Sequence, residues 1–232
     1  MKIKVYADGA KLGDILSVYK ANGAQGFTTN PTLMAQAGIT DYVAFAKSVL
    51  AEIKDLPISF EVFSDDFPSM KRQAHEIASW GDNVYVKIPV TNTKGEKTTP
   101  LIAELSAAGI KLNITAIMTN SQVKNVVDAL SPVTPAVISV FAGRVADTGI
   151  DPIPLMVESL KICASKPKAE LLWASPREVL NIYQADEIGC HIITVTPDLI
   201  KKLALHGKDL DEYSLETVEM FYRDATKAGF QL

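Results

Sequence analysis

Short apolar runs alternate with longer stretches of helical periodicity along this sequence, and the alternation occurs eight times. The apolar runs have the length and composition of buried β-strands. They lie at 2–8, 25–29, 58–62, 83–88, 111–116, 136–141, 170–175 and 190–195. The predicted helices lie at 12–22, 40–54, 69–80, 98–108, 120–129, 152–165, 177–187 and 197–205. One further amphipathic helix is predicted over 214–230, beyond the eighth unit.

Several helix-start signals agree with this pattern. Thr119 and Gln122 have the spacing of a capping box. Ser-Pro at 175–176 and Thr-Pro at 196–197 each place a capping residue before a proline at the first helical position. The sequence therefore predicts helices that begin at these points.

Eight βα units with short connections predict a closed (β/α)₈ TIM barrel with an additional C-terminal helix. An open doubly wound sheet is the alternative, but no GxGxxG or P-loop motif offers it a nucleotide site. The composition does not change along the chain, so we expect one domain over residues 1–232.

The overall charge argues against some functions. The chain has 232 residues, a formal net charge of −4 and a sequence pI of about 5.4. Such a balance offers no basic excess for nucleic acid, although a small anionic ligand needs only a few local cations. The N-terminus lacks the apolar stretch of a signal peptide, and no segment has the length of a membrane span. We therefore expect a cytoplasmic protein that binds neither nucleic acid nor membrane.

The two cysteines, Cys163 and Cys190, lie far apart and match no metal-binding or CxxC spacing. A reducing cytosol favours two free thiols, and a structural disulfide is the alternative.

Polar residues occur late in several predicted strands, although barrel strands are covered on both faces and should be apolar. Alternation puts the polar residues of each strand on one face, which we predict to be the barrel interior. Barrel enzymes keep their active sites at the carboxyl ends of the strands. The residues concerned are Asp8, Asn30, Glu61, Lys87, Asn113, Thr115, Ser139 and Ser175.

Lys87 is the most informative of these residues, because its segment VYVKIPV is apolar on both sides. Burial of an ammonium group is costly unless the group is paired or loses its proton. Removal from water favours the neutral amine, which is a nucleophile toward carbonyl groups. A carboxylate such as Glu61, in ISFEVF, can move the protons. These residues predict carbonyl chemistry.

Five segments, in order along the chain, resemble those of the transaldolase family, including its small subfamily with the fructose 6-phosphate aldolases. GFTTNPTL resembles the TTNP signature, VKIPVT the segment with the Schiff-base lysine, and LNIT the fifth strand. ISVFAGR and WASPRE are similar to the ISPFVGR and ASFR segments. They lie at 26–33, 86–91, 112–115, 138–144 and 173–178.

The resemblance implies a class I aldol mechanism without a metal or an organic cofactor. It implies that Lys87 forms an imine with the C2 carbonyl of a ketose. Asp8 is implied to move the proton at the hydroxyl where the C3–C4 bond breaks. Glu61 and Thr115 are implied to hold the water that relays protons during imine formation.

The resemblance also implies the substrate-binding residues. Asn30 and Asn113 would hold hydroxyls of the three-carbon dihydroxyacetone unit. The phosphate would be bound by Ser139, Arg144 and Arg177. Arginine forks suit phosphate oxygens, and Arg177 lies in the first turn of a predicted helix, where an anion is favoured. Thr29, Phe141 and Ser175 complete the implied set.

Two positions distinguish the branches of the family. Transaldolases tend to carry Glu and Phe where the aldolases carry Gln and a catalytic Tyr, and this chain has Glu61 and Phe141. Both residues favour transfer of a dihydroxyacetone unit from a ketose phosphate, such as fructose 6-phosphate, to an aldose phosphate. The alternatives are an aldolase that releases dihydroxyacetone and a non-catalytic sugar-phosphate-binding barrel. Val140 and Pro176 depart from the family segments and leave the acceptor sugar open.

The expected partners are therefore small-molecule sugar phosphates, as in the pentose phosphate pathway. The resemblance also implies a ring-based homo-oligomer, up to a decamer, in which the C-terminal helix 214–230 packs on a neighbouring subunit.

Overall fold

The computed structural model describes residues 1–231, in which eight parallel strands close into a barrel in chain order. Each predicted strand overlaps an observed one, so the prediction of a (β/α)₈ barrel is confirmed. The strands are β1 (Lys4–Asp8), β2 (Phe27–Thr28), β3 (Ile58–Glu61), β4 (Val84–Pro89), β5 (Leu112–Ile117), β6 (Ala136–Val140), β7 (Ala169–Trp173) and β8 (Ile192–Val195).

Helices follow the strands. They are α1 (Leu12–Lys20), α2 (Pro31–Gln36), α3 (Tyr42–Glu52), α4 (Phe67–Ala78), α5 (Thr99–Ala107), α6 (Asn120–Ala129), α7 (Ala142–Asp147), α8 (Ile153–Cys163), α9 (Leu180–Glu187), α10 (Pro197–Lys202) and α11 (Leu210–Ala228), with a 3₁₀ turn at Leu203–Leu205. The sequence did not predict α2 and α7, because six residues contain too few turns to show helical periodicity.

The helix-start predictions were right at two places and wrong at one. Thr119 and Gln122 form the capping box at the start of α6, and α10 begins at Pro197. Ser175 does not cap a helix: its φ is 57°, which turns the chain into the left-handed region. The next helix, α9, begins only at Leu180, so Arg177 does not lie in a first helical turn.

Apolar side chains pack together inside the barrel. Tyr6, Val137, Leu172, Ala174 and Ile192 form this cluster, with Tyr85 and Phe141 packed against it. A Cβ at Gly26 would lie 2.6 Å from the ring of Tyr6, so only glycine leaves room for that ring. Because side chains alternate along a strand, the residue two positions after Tyr6, Tyr85, Val137 or Ile192 faces the interior one layer higher. These residues include Asp8, Lys87, Ser139 and Thr194.

The chain divides into two units, one over Met1–Ile200 and one that begins at Lys201. The first unit holds the barrel. The second contains α11, none of whose residues is buried. The prediction of a single domain over residues 1–232 stays a prediction.

Within the described part of the chain, no helix is long and apolar enough to cross a membrane. Both cysteines are free and buried, so the alternative of a disulfide is not realised.

Candidate active site

A cavity of about 400 Å³ opens at the carboxyl ends of the strands. It brings together most of the residues that the sequence singled out. Those that line it are Asp8, Asn30, Glu61, Lys87, Asn113, Thr115, Ser139, Phe141, Arg144 and Ser175. Two predicted residues, Thr29 and Arg177, do not line it.

Lys87 lies in the cavity wall with only 7% of its surface exposed. Register pairs Lys87 on β4 with Glu61 on β3, which places the two side chains on the same face of adjacent strands. The Lys87 Nζ lies 3.2 Å from Glu61 Oε2 and donates a hydrogen bond to the Thr29 carbonyl oxygen at 3.1 Å. Thr29 contributes its carbonyl oxygen to the site, whereas its hydroxyl donates to the Ser59 carbonyl oxygen at 2.9 Å. The Lys87 side chain is therefore paired with Glu61 and almost completely buried.

Asp8, at the end of β1, accepts hydrogen bonds on both carboxylate oxygens. The Thr28 hydroxyl donates to Oδ1 at 2.8 Å, and Asn30 Nδ2 donates to Oδ2 at 3.3 Å. Asn30 is itself fixed, because its Oδ1 caps α2 by accepting from the Leu33 N–H. The hydroxyls of Thr28 and Thr194 lie 2.6 Å apart, so a hydrogen-bonded chain reaches from β8 to the carboxylate.

Burial raises the pKa of Asp8 above its ordinary value. The charge of Lys87 and the hydrogen bonds from Thr28 and Asn30 act in the opposite direction, but they offset the burial only in part. A carboxyl group with a raised pKa can hold a proton at a pH where an ordinary aspartate has lost it. Asp8 is thus suited to accept and return a proton.

Asn113 links three strands across the barrel interior and is completely buried. Its Nδ2 donates to Ser59 Oγ at 2.9 Å, and its Oδ1 accepts from Ser139 Oγ at 2.6 Å. These bonds lock the amide of Asn113 in one orientation. Ser139 is held in turn by this contact and still lines the cavity.

Strand β5 is irregular where it meets the cavity. Its register with β6 shifts between Ile114 and Ile117, and Ala116 has a φ of 62°. A bulge of this kind redirects side chains, and a left-handed alanine is strained. Beside it, the Thr115 Oγ1 is buried without a hydrogen-bond partner among the described residues. Thr115 also contributes to the cavity lining, and its role in holding a relay water stays a prediction.

The two predicted phosphate-binding arginines differ in position. Arg144, on α7, lines the cavity, and its guanidinium carbon lies 4.9 Å from the centre of the Phe141 ring. Arg177 is half exposed and forms an ion pair with Asp147, the last residue of α7. The structure therefore brings Arg144 to the cavity and leaves Arg177 on the rim.

Ser175 and Gly143 pack backbone against backbone beside Arg144. A Cβ at position 143 would lie 1.5 Å from the Ser175 carbonyl oxygen, so this approach requires glycine. The left-handed turn at Ser175 brings that carbonyl in. The two segments of the rim, after β6 and after β7, are thereby fixed to each other.

The sequence predictions omitted two threonines that line the cavity, Thr28 and Thr194. Both side chains are on the inward-facing side of their strands. Thr28 comes two positions before Asn30, and Thr194 comes two positions after the core residue Ile192. The alternation rule that selected the other residues could have found both. Within residues 1–231, no group of three His, Cys, Asp or Glu side chains is arranged to hold a metal ion.

The closed barrel with a paired, buried lysine at the carboxyl ends of its strands is the architecture of a TIM-barrel enzyme. The family model described as Transaldolase/Fructose-6-phosphate aldolase matches residues 5–232. The chain belongs to this family, and the resemblance of its sequence segments is confirmed.

Curated relatives agree with this family. A probable transaldolase from Thermoanaerobacter sp. (strain X514) is 32% identical over 231 residues, which is 99% of this chain and 100% of the relative. A probable transaldolase from Streptococcus pyogenes serotype M1 is 35% identical over 205 residues, or 88% of this chain and 91% of the relative. These relatives bear the name of an enzyme, and the chain is an enzyme of their family.

Among solved structures, the crystal structure of KGPDC from Streptococcus mutans is similar with a TM-score of 0.59. The alignment covers 87% of this chain and 91% of that chain, with 11% sequence identity. At this identity the similarity concerns the fold alone.

Proposed function

We propose that this enzyme is a transaldolase that transfers a dihydroxyacetone unit from a ketose phosphate, such as fructose 6-phosphate, to an aldose phosphate through a Schiff base on Lys87. The observation that carries the proposal is the contact between the Lys87 amine and the Glu61 carboxylate in the cavity. A structural lysine has no need of this position, whereas a nucleophilic amine requires a nearby group that takes its proton.

In the first step the neutral Lys87 amine attacks the C2 carbonyl of the ketose. Glu61, 3.2 Å away, has first taken one proton from the Lys87 ammonium group. In the adduct a proton moves from the nitrogen through water to the alkoxide oxygen, which gives the carbinolamine. Glu61 then returns its proton to the departing hydroxyl, so that water leaves and the iminium ion forms. The orphaned Thr115 hydroxyl is suited to hold that water. Water would return by the same route when the imine is hydrolysed.

In the second step Asp8 takes the proton of the C4 hydroxyl. The C3–C4 bond breaks, its electron pair moves into the iminium ion to form an enamine, and an aldose phosphate leaves. The acceptor aldehyde then reacts with the enamine carbon, and Asp8 returns its proton to the new hydroxyl. The raised pKa of Asp8 supports this role, because the group must carry a proton between the two halves of the reaction.

Asn30 and Asn113 are suited to hold the hydroxyls of the three-carbon unit, because their amides are fixed by Leu33, Ser59 and Ser139. Fixed donors do not have to reorganise during the reaction. The substrate phosphate is assigned to Arg144 and Ser139, which line the cavity, with Arg177 on the rim.

Transfer is favoured over release because no hydroxyl occupies position 141. Phe141 packs against the apolar interior cluster and lies under Arg144. An enamine beside a phenyl ring lacks the proton donor that a tyrosine would supply. It therefore persists until an aldehyde arrives.

Product analysis tests the proposal. With fructose 6-phosphate alone, the enzyme should release about one equivalent of glyceraldehyde 3-phosphate and then nearly stall, because the enamine has no acceptor. Addition of erythrose 4-phosphate should restore turnover. Continued release of dihydroxyacetone without an acceptor would instead identify an aldolase. A protein that binds the sugar phosphate without any borohydride-trapped adduct would be a non-catalytic barrel.

We also propose that the enzyme works in the cytoplasm, in the pentose phosphate pathway, as a ring-based homo-oligomer of up to ten subunits. Helix α11 supports the assembly, because Leu215, Val218 and Phe221 are 60%, 60% and 62% exposed. Exposed apolar patches of this kind mark contact surfaces. Light scattering of the protein and of a Val218→Asp, Phe221→Asp variant tests this point. A monomeric parent protein would contradict it.

A further inference from the structure

Tyr42, the first residue of α3, contacts the backbone of Glu61 twice. Its hydroxyl donates to the Glu61 carbonyl oxygen at 2.9 Å and accepts from the Glu61 N–H at 2.7 Å. One side chain therefore satisfies both backbone groups of the residue that faces the lysine. No sequence pattern points to this pairing, because Tyr42 and Glu61 belong to different elements.

The reason for the contact is the shortness of β2. Towards β4, strand β3 is regularly paired, as in the bond from the Val62 N–H to the Lys87 carbonyl at 3.0 Å. Towards β2, the ladder consists of bonds from Phe27 N–H to Pro57 and from Thr29 N–H to Ser59. A further step would require an N–H at position 31 to bond to Glu61.

Position 31 is a proline, which has no N–H and starts α2. The Thr29 carbonyl, to which the Glu61 N–H would donate in a continued ladder, instead accepts from the Lys87 amine. Both backbone groups of Glu61 would thus lack a strand partner. The Tyr42 hydroxyl takes the place of both partners at once.

Aromatic side chains hold the Tyr42 ring in place. Phe60, Phe63 and Trp80 lie 6.4, 5.4 and 6.0 Å away between ring centres. Burial raises the pKa of Tyr42 well above its ordinary value, so the hydroxyl keeps the proton that it donates.

We propose that Tyr42 is a positioning residue of the active site. It replaces the missing strand partner of Glu61, fixes the Glu61 carboxylate against Lys87, and leaves the Thr29 carbonyl to the lysine amine. This inference rests on the proposed Schiff-base chemistry at Lys87. It predicts that Tyr42 affects proton transfer during imine formation although it does not touch the substrate.

The test is a double-mutant cycle with four proteins: the parent, Tyr42→Phe, Glu61→Gln and the double variant. The rate of imine formation is measured by rapid mixing with saturating fructose 6-phosphate and borohydride trapping. Because a small misplacement of a catalytic group lowers rates strongly, Tyr42→Phe should slow this step by about ten- to hundredfold. KM should change by less than about threefold, since no substrate contact is lost. In the Glu61→Gln background, Tyr42→Phe should cause no further loss.

Tyr19→Phe is the matched control. Tyr19 also packs edge-on against a phenylalanine, Phe27, and its hydroxyl donates to the exposed carboxylate of Asp55 at 2.8 Å. It should leave the rate unchanged. All rates are measured at a temperature where thermal unfolding curves show each variant to be folded.

Two results would overturn the inference alone: a parent-like trapping rate for Tyr42→Phe, or equal slowing by Tyr42→Phe with and without the Glu61 carboxylate. No adduct on Lys87 in the parent protein would overturn the proposed function and, with it, this inference.

Discussion

Arg177 and Asp147 hold each other at the rim of the barrel. Arg177 Nε donates to Asp147 Oδ1 at 2.9 Å, and Nη2 donates to the second carboxylate oxygen. The bonds from Arg177 lower the pKa of Asp147 below its ordinary value. The Asp147 carboxylate thus occupies the guanidinium donors of Arg177 that could otherwise bind a substrate anion.

The first prediction concerns the phosphate. Arg144→Ala should raise KM for fructose 6-phosphate by about ten- to hundredfold, which corresponds to a lost charge-assisted contact. Arg177→Ala should act in the same direction. Asp147→Ala should lower this KM, because it frees the guanidinium of Arg177 for the phosphate. Unphosphorylated fructose is the control substrate, and equal effects on both substrates would remove these residues from phosphate binding.

The second prediction concerns the nucleophile. Lys87→Ala should abolish turnover and borohydride trapping, and Lys87→Arg should do the same, because a guanidinium stays protonated and forms no imine. Mass spectrometry of the trapped parent protein should locate the adduct on Lys87. Lys111 and Lys166, which bond to backbone carbonyls outside the cavity, should carry none. An adduct on either would contradict the assignment.

The third prediction tests transfer against release. Glu61→Gln together with Phe141→Tyr should increase acceptor-independent release of dihydroxyacetone. The tyrosine hydroxyl would lie on the inward side after β6 and could give its proton to the enamine carbon, directly or through one water. The measured quantity is dihydroxyacetone per enzyme with fructose 6-phosphate alone. An unchanged ratio of release to transfer would show that position 141 does not decide between the two outcomes.

The fourth prediction concerns pH and stability. Burial raises the pKa of Asp8 in the folded protein, so between the ordinary and the raised pKa the folded state binds more protons than the unfolded chain. The free energy of unfolding therefore falls as the pH rises through this interval. Asp8→Asn, which cannot ionise, should be inactive but more stable than the parent at pH values above the interval. The difference should vanish towards acid.

Denaturant unfolding at several pH values measures this effect. Asp66→Asn is a control of opposite sign, because hydrogen bonds from Ser69 at the start of α4 lower the pKa of Asp66. Its loss should remove stability at neutral pH, and the difference should shrink as the pH falls through the lowered pKa. A parent-like pH profile for Asp8→Asn would contradict the role of burial.

The fifth prediction concerns the rim. Gly143→Ala would place a methyl group 1.5 Å from the Ser175 carbonyl oxygen, so the backbone must shift. We expect a loss of stability of about 1–3 kcal/mol, typical of overpacking, together with a raised KM for phosphorylated substrates. Gly13→Ala is the control, since Gly13 lies in α1 with nothing within 4 Å of the added Cβ. It should be neutral or stabilising.

The sequence was sufficient for the barrel, and short-range patterns together with the family resemblance identified many of the residues that line the cavity. Alternation within a strand decides which side chains face inward, and it applied to Lys87, Glu61 and Asn113 without knowledge of their neighbours. Thr28 on β2 and Thr194 on β8 follow the same alternation, so the sequence holds a signal for them as well.

Other features depend on contacts between distant segments and carry no local signal. The bond from Tyr42 to Glu61 arises because β2 stops early, and the pair of Arg177 and Asp147 joins the loop after β7 to the end of α7. Ser175 was predicted to begin a helix because a serine before a proline is a common cap. Its left-handed backbone instead directs its carbonyl oxygen toward Gly143, a segment distant in sequence.

The two-residue β2 strand limits how far this barrel can be treated as eight interchangeable parts. A designer who replaced the β2–α3 segment with that of another barrel would preserve the lysine, both carboxylates and the whole cavity lining after β3. The transplant would nonetheless discard the Tyr42 hydroxyl that completes β3. Recombination of such enzymes should therefore keep β2 to β4 as one block, with its boundaries outside the 27–89 segment.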